Sequence, residues 1–549
     1  MKQNTLSLSF FWNRPTLFLI ALGALGLVLG QPNKFLHFPL ASLAPVVCLF
    51  LLAHSGENTK TLFRQGWLLG TMGYCAALYW IAIPVNEIGG LPLPLAIPCV
   101  FFVGGYLGLF SGLTALSFRW LQLSFGLGPS TKTAKQPGLP RILACAVFCG
   151  LFVGGVELVL MSKLFTGFPW AVMAVGFVAW PSWVQGASIA GAYGLAAYYT
   201  FAAILGTCAF LAVGKKRIAA GILAFCLITA SPVYGQWRLT HIPSPSSPSL
   251  TFGIVQGNID QSQKWDIEFQ RSTIVTYFTL SNTLMERADE LNISLDMLVW
   301  PETAMPFYYQ SEDLFASSLR HFAASNSITL GFGTVGFQRT PNQSYHLLNR
   351  FQTISREGRT SEHYDKQHLV PFGEYAPFTL PFEFLDNILQ GMVFIPGTDT
   401  DPLSFAKESL NHENALGVLI CYEAIFPEIA QEQTRQGANV FLNLSNDAWF
   451  GNTSAPKQHL AHTALRAVEQ QRPVVRSTNT GYSTKIDAYG RISSTGPLFT
   501  KYASIVTAQL EDGLTPFHTA YAHIQFLLIF GLAFPLLCRV YLMMFAKRP

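Results

Sequence analysis

The sequence predicts a polytopic α-helical membrane domain of about eight spans that carries a separate α/β domain of layered sheets flanked by helices. Three observations predict it. All but three of the 31 acidic residues lie after residue 233 and none follows Asp512, so the ends and the middle of the chain face different solvents. Eight apolar runs approach the ~20 residues that a bilayer demands. Between residues 250 and 515, short β-rich runs alternate with amphipathic helical ones.

The apolar runs fall at about 13–30, 35–54, 64–83, 93–118, 141–161, 185–213, 217–233 and 521–545. Lys2 and Arg14 precede the first, as in a secretory signal, but Gln31-Pro32-Asn33 leads straight into the second, so it reads as an uncleaved anchor. Basic residues sort by side. With the N-terminus inside, the cytoplasmic segments hold Lys60, Arg64, Arg119, Lys132, Lys135, Arg141, Lys215, Lys216 and Arg217, while the short outer loops hold only Lys34 and Lys163. Seven spans then place the α/β domain outside, which in a bacterium is the periplasmic face of the inner membrane. The net charge of +4 is mostly this bias and gives no sign of nucleic acid binding. The expected organisation is a membrane domain over 1–233, a linker over 234–249, an α/β domain over 250–515, and a final span with a short cytoplasmic tail over 521–549. The linker carries the Pro/Ser-rich stretch 240–248.

Within the α/β domain, β-branched and aromatic runs predict strands at 250–256, 297–300, 328–334, 346–354, 416–421, 440–444, 474–478, 483–488 and 503–509. Helical periodicity predicts helices at 267–290, 311–325, 427–436 and 455–471. The turn Arg356-Glu357-Gly358-Arg359 closes a hairpin.

Of nine cysteines, only Cys421 lies outside an apolar, membrane-length run. A single thiol in a polar domain has no disulfide partner there, so it is either inert core or a nucleophile. Two other polar residues also stand where apolar strands end: Glu302 after Val299-Trp300-Pro301, and Lys366 before Leu369-Val370-Pro371-Phe372. Singly, each reads as an ordinary surface residue. Together they make a chemical set. A nearby cation lowers a thiol's pKa, a carboxylate accepts and returns its proton, and an ammonium holds an oxyanion.

The motifs Trp300-Pro301-Glu302-Thr303, Lys366 with Val370-Pro371-Phe372-Gly373-Glu374-Tyr375, Cys421-Tyr422-Glu423 and Ser445-Asn446-Asp447-Ala448-Trp449-Phe450-Gly451 resemble those of the nitrilase superfamily. With Gln458-His459, Arg472-Pro473, Thr478-Asn479-Thr480-Gly481 and the membrane motif Thr166-Gly167-Phe168-Pro169-Trp170, the chain most resembles the superfamily's membrane-embedded branch, the apolipoprotein N-acyltransferases. The resemblance implies a nitrilase-like αββα sandwich, with Glu302 as general base, Lys366 as oxyanion partner and Cys421 as acyl-accepting nucleophile. Glu374 would orient Lys366, and Trp265, Tyr422 and Glu423 would line the pocket. It implies a phospholipid donor, typically phosphatidylethanolamine, and a diacylglyceryl apolipoprotein acceptor, both held in membrane lipid. A membrane-tethered amidase, in which water replaces the amine, is the alternative, and a transporter or receptor with a degenerate α/β domain is a second.

Other patterns draw plainer readings. Gly331-Phe332-Gly333-Thr334-Val335-Gly336 follows a strand but precedes a loop, so no dinucleotide cofactor is expected. His459 and His462 lack further ligands for a metal and read as surface or packing residues. Glu157, the one acid within a membrane run, reads as paired with Lys163 or as a headgroup contact. The apolar stretch containing Phe378, Phe382, Phe384, Leu385, Met392 and Phe394 is either core or a lid dipping into lipid.

Overall fold

The structure, a computed structural model, describes residues 14–55, 57–128, 137–242, 248–261, 267–311, 314–339, 345–375, 394–405 and 414–545. It divides into two compact units, one built from residues up to 79 with 97–240 and 520 onward, the other from 80–96 with 241–519.

The first unit is helical: α1 (Arg14–Gly30), α2 (Ala44–His54), α3 (Thr59–Ala77), α4 (Leu93–Ser124), α5 (Leu139–Gly155), α6 (Ala187–Leu211), α7 (Lys215–Thr240) and a C-terminal helix, Tyr521–Phe545. Among the described residues, α4, α5 with its π-helical continuation to Met161, α6, α7 and the C-terminal helix are long and apolar enough to cross a bilayer. The helix α3 joins Tyr79–Ile88 at a 59° bend as a sixth candidate, and α1 and Pro39–His54 are shorter apolar helices. α7 continues past its expected end at 233, because hydropathy falls at Tyr234-Gly235-Gln236 whereas backbone hydrogen bonding carries on to Thr240. Small residues let α3 and α4 approach closely, as a Cβ on Gly66 would stand 2.9 Å from the Cβ of Ala115. Glu157 is buried, and its carboxylate is met by the backbone N–H of Met173 at 2.8 Å rather than by Lys163.

The second unit is a sandwich of two sheets. The strands are β1 (Ser249–Gln256), β2 (Met297–Val299), β3 (Met305–Tyr308), β4 (Thr329–Arg339), β5 (Tyr345–Ile354), β6 (Thr360–Asp365), β7 (Leu403–Phe405), β8 (Asn414–Ile420), β9 (Val440–Ser445), β10 (Val474–Thr478), β11 (Thr484–Ile486), β12 (Ile492–Ser493) and β13 (Tyr502–Gln509). One sheet runs β13-β1-β2-β4-β5-β6 with β3 also on β4, and the other runs β12-β11-β10-β9-β8-β7. Their central pairs, β1 with β2, β2 with β4, β8 with β9 and β9 with β10, are parallel.

Phe252, Ile254, Val299 and Phe351 of the first sheet meet Val418, Ile420, Leu442 and Leu444 of the second in one apolar core. Burying such side chains contributes about 1.5–3 kcal/mol each. The opposite face of the first sheet packs Leu298, Leu330 and Phe332 against Ile274 and Tyr277 of helix α8 (Ile267–Glu290) and Leu319 and Phe322 of α9 (Leu314–Ser325). Helices α10 (Pro427–Arg435) and α11 (Ala455–Gln470) cover the second sheet. This is the expected αββα order.

The edge strand β13 was legible in advance, whereas β3, β6, β7 and β12 were not. β3 contains Pro306 and β6 is polar and largely exposed, so neither has the apolar alternation that marks a buried strand. β4 runs to Arg339, past the expected 334, because pairing with β5 from Leu330–Ile354 to Arg339–Tyr345 sustains it through its glycines. The G-x-G-x-x-G run therefore lies within a strand, and its glycines have a steric cause. The turn carrying Glu302 crosses Gly333 so tightly that a Cβ there would sit 2.7 Å from the Glu302 Cα and 2.5 Å from the Pro301 carbonyl. Gly333→Ala is expected to destabilise the sandwich by ~1–3 kcal/mol, the usual range for overpacking, measured as a lowered thermal transition.

Candidate active site

Three strand ends converge. β2 stops at Val299, and the chain turns through Pro301 and Glu302, with Thr303 in the left-handed region at φ 48° and the Ala304 N–H bonded to the Pro301 carbonyl. β6 stops at Asp365, and Lys366 follows with its N–H on the Asn349 carbonyl of β5, 2.8 Å away. β8 stops at Ile420, and Cys421 opens a 3-10 turn with φ 51°. A left-handed non-glycine residue costs on the order of 1–3 kcal/mol and is held only where its surroundings over-determine it. All three side chains are buried.

The ammonium is gripped by two carboxylates. Lys366 Nζ lies 2.9 Å from Glu374 Oε1 and 3.5 Å from Glu302 Oε1. Asn349 Nδ2 donates to both of those oxygens at 2.8 Å, which fixes its amide orientation because ionised carboxylate oxygens only accept. The Val370 N–H holds Glu374 Oε2 at 2.7 Å. Burial alone would lower the lysine's pKa, but the charges of Glu374 and Glu302 more than offset it, so the ammonium is retained well above its ordinary range.

The thiol behaves differently from expectation. Burial pushes Cys421 well above the ordinary thiol value and the charge of Glu302 adds to this, while Lys366 pulls the other way without prevailing. The resting Cys421 side chain is therefore a neutral thiol, not a cation-stabilised thiolate. The lysine does pull the thiol's pKa down, but burial and then the Glu302 charge outweigh it.

Glu423 ties two of the strand ends together. Its Oε1 accepts from the Tyr364 hydroxyl and the backbone N–H groups of Gln367 and His368, and its Oε2 accepts from the Ile420 N–H at 2.7 Å. The segment after Lys366 and the residue before Cys421 thus share one carboxylate. Burial pushes Glu423 up to about 7 against the pull of these donors. Tyr422, next to Cys421 in the chain, is buried with its ring against those of His368 and Phe426.

Of the residues expected to serve the site, Glu302, Lys366, Cys421, Glu374, Tyr422 and Glu423 come together. Trp265, Phe378, Phe382, Phe384, Leu385 and Met392 lie outside the described residues. Phe394 is half-buried, with its N–H on the Glu374 carbonyl at 2.9 Å. Asn349 was missed, because the run 346–354 holds several other polar residues (His346, Arg350, Gln352, Thr353) among which it does not stand out. His459, read as a packing or surface residue, is fully buried, with Nε2 2.9 Å from the Cys421 carbonyl oxygen.

Residues 252–538 match the carbon-nitrogen hydrolase family, the class to which a sandwich with a buried Glu, Lys and Cys at its strand ends points. Residues 23–205 match the apolipoprotein N-acyltransferase N-terminal domain. An apolipoprotein N-acyltransferase of Geobacter metallireducens is 31% identical over 87% of this chain and 88% of its own length, and one of Haemophilus influenzae is 28% identical over 92% of each. The chain belongs to the apolipoprotein N-acyltransferase family. A solved carbon-nitrogen hydrolase of Helicobacter pylori G27 is 14% identical over 51% of this chain and 92% of its own, with a TM-score of 0.35.

A neutral resting thiol has a direct consequence. Alkylation of Cys421 by iodoacetamide in the substrate-free protein is expected to keep accelerating beyond the ordinary thiol value of 9.0, and a plateau reached below that pH would contradict it.

Proposed function

We propose that Cys421 carries an acyl chain from a membrane phospholipid to the N-terminal α-amine of diacylglyceryl-cysteine lipoproteins. Family membership makes the chain an N-acyltransferase of lipoproteins rather than an amidase. The observation that carries the residue roles is the buried cluster in which Lys366 lies 2.9 Å from Glu374 and 3.5 Å from Glu302, and in which the charges of Lys366 and Glu302 act on the Cys421 thiol.

In the first half-reaction Glu302 takes the thiol proton as the sulfur attacks the sn-1 ester carbonyl. The oxyanion of the tetrahedral intermediate is held by the Lys366 ammonium and a backbone N–H after the thiol. The carbon–oxygen bond breaks, Glu302 protonates the departing glycerol oxygen, and a lysophospholipid leaves a thioester on Cys421. In the second half-reaction the α-amine attacks the thioester carbonyl. An α-amine has a pKa near ~8, so a substantial share is already neutral at physiological pH, and Glu302 accepts one of its two protons as the nitrogen bonds to the carbonyl carbon, the other staying on the amide. The carbon–sulfur bond breaks, and the proton held by Glu302 returns to the sulfur. An amide is more stable than a thioester, so the sequence runs forward. A neutral resting thiol suits this scheme, since base and nucleophile exchange the proton only as the carbonyl arrives.

Both substrates are amphiphiles, which is the reason for a catalytic sandwich on a membrane-spanning chain. Phosphatidylethanolamine is the donor we favour, and the sandwich faces the periplasm from the inner membrane, as the bias of Lys and Arg toward the other side supports. The chain divides accordingly into seven spans, a linker, the catalytic domain and a last span.

Intact-protein mass measurement after incubation with phosphatidylethanolamine micelles is expected to show one added acyl chain, discharged by a diacylglyceryl peptide amine but not by water. Cys421→Ser and Glu302→Ala are expected to show none while remaining folded, and an adduct that persists in Cys421→Ser would refute the assignment. Lys366→Ala is expected to slow acylation by ~10²–10³, the usual effect of losing an oxyanion donor.

A further inference from the structure

Cys421 sits in a backbone conformation that its own side chain disfavours, at φ 51°, and something must hold it there. The Ile420 N–H is held by Glu423 on one side. On the other, the Cys421 carbonyl oxygen receives His459 Nε2 at 2.9 Å. A carbonyl only accepts, so Nε2 carries the hydrogen and this ring nitrogen is a donor.

The opposite edge of the ring is fixed as well. His459 Nδ1 lies 2.9 Å from Asp447 Oδ1 and 3.2 Å from Arg476 Nη2. Asp447 Oδ2 accepts from Arg476 Nη2 at 2.9 Å, and its Oδ1 accepts from Ser445 Oγ at 2.7 Å. Arg476 reaches on to Asn443 and Thr463. His459, Asp447 and Arg476 are all fully buried. Burial opposes the charge on Asp447, but the Arg476 guanidinium and His459 hold its carboxyl well below the usual carboxylate range. Gly481 leaves the room that Asp447 occupies, since a Cβ there would fall 2.7 Å from the Asp447 Cγ.

An aromatic brace closes the arrangement from outside. The Phe450 ring stands edge-on to His459 at 6.3 Å, and Trp80 stands edge-on to Phe450 at 5.0 Å. The Trp80 indole N–H also donates to Gln458 Oε1 at 3.0 Å, beside His459 on the first turns of α11. The motif Asn446-Asp447-Ala448-Trp449-Phe450 and the helix start are thereby pinned together.

We propose that His459 is a positioning residue for the nucleophile: its Nε2–H holds the Cys421 carbonyl, with Asp447 and Arg476 fixing the ring, so that the left-handed Cys421 keeps its thiol toward Glu302 and Lys366. The residue touches no reacting atom. This inference rests on the acyl-transfer reading of the same site and adds a specific hydrogen bond to it.

The test compares two amides in the full-length protein. In His459→Gln the side-chain amide reaches the place of Nε2 and keeps a donor for Cys421. In His459→Asn it reaches only the place of Nδ1, on the Asp447 side. Rates of acyl-adduct formation on Cys421 are measured by intact mass over a range of phosphatidylethanolamine concentrations. His459→Gln is expected to stay within about tenfold of the parent rate at saturation. His459→Asn is expected to fall about 10²-fold at saturation with little change in the donor concentration giving half the maximal rate, the signature of a displaced nucleophile rather than a lost binding contact. Equal rates for the two variants would overturn the proposal. So would a 10²-fold loss in folded His459→Gln, whether or not His459→Asn accumulates. Failure of the parent protein to acylate Cys421 would instead refute the acyl-transfer reading itself.

Discussion

One buried ammonium held between two carboxylates organises the catalytic unit. Lys366 comes from the end of β6, Glu302 from the turn after β2 and Glu374 from the turn that follows Val370. None of these charges is tolerable alone in the sandwich interior, where removing one partner of a buried pair costs about 3–5 kcal/mol. Each group therefore fixes the loop that carries the next. Burial first, and the charge of Glu302 next, keep the Cys421 thiol neutral against the pull of that ammonium.

Around that cluster, buried polar groups perform the alignment that an apolar core cannot, because hydrogen bonds have direction. Glu423 joins the backbone after Lys366 to the backbone before Cys421. Asn349 joins Glu302 to Glu374. Asp447 and Arg476 orient His459 against the Cys421 carbonyl. The hydroxyl of Ser477 lies 3.1 Å from the carbonyls of both Val255 and Val299, which links β10 of one sheet to β1 and β2 of the other just before the Glu302 turn. Because each of these bonds has a preferred direction, together they confine the site to one geometry.

Much of this was legible in the chain. The runs at 250–256, 440–444 and 474–478 became β1, β9 and β10 because central strands are buried on both faces and their apolar, β-branched composition shows it. Glu302, Lys366 and Cys421 stood out because a polar residue directly after such a run is conspicuous. The edge strands β3, β6 and β7 did not, since an edge needs neither length nor alternation. His459 looked ordinary for a different reason. Its neighbours in sequence are helical, and the group it serves lies across the fold on another strand end.

The chain by itself determined which residues are apolar enough to meet lipid, which strands are central, and which thiol, amine and acid are available for chemistry. These follow from composition and from periods of two and 3.6 residues, which are local properties. Only the tertiary structure decided the charge state of the thiol, the amide that bridges Glu302 and Glu374, and the histidine on the Cys421 carbonyl. Desolvation and charge–charge interaction depend on distances between segments remote in sequence, and no local pattern encodes those distances.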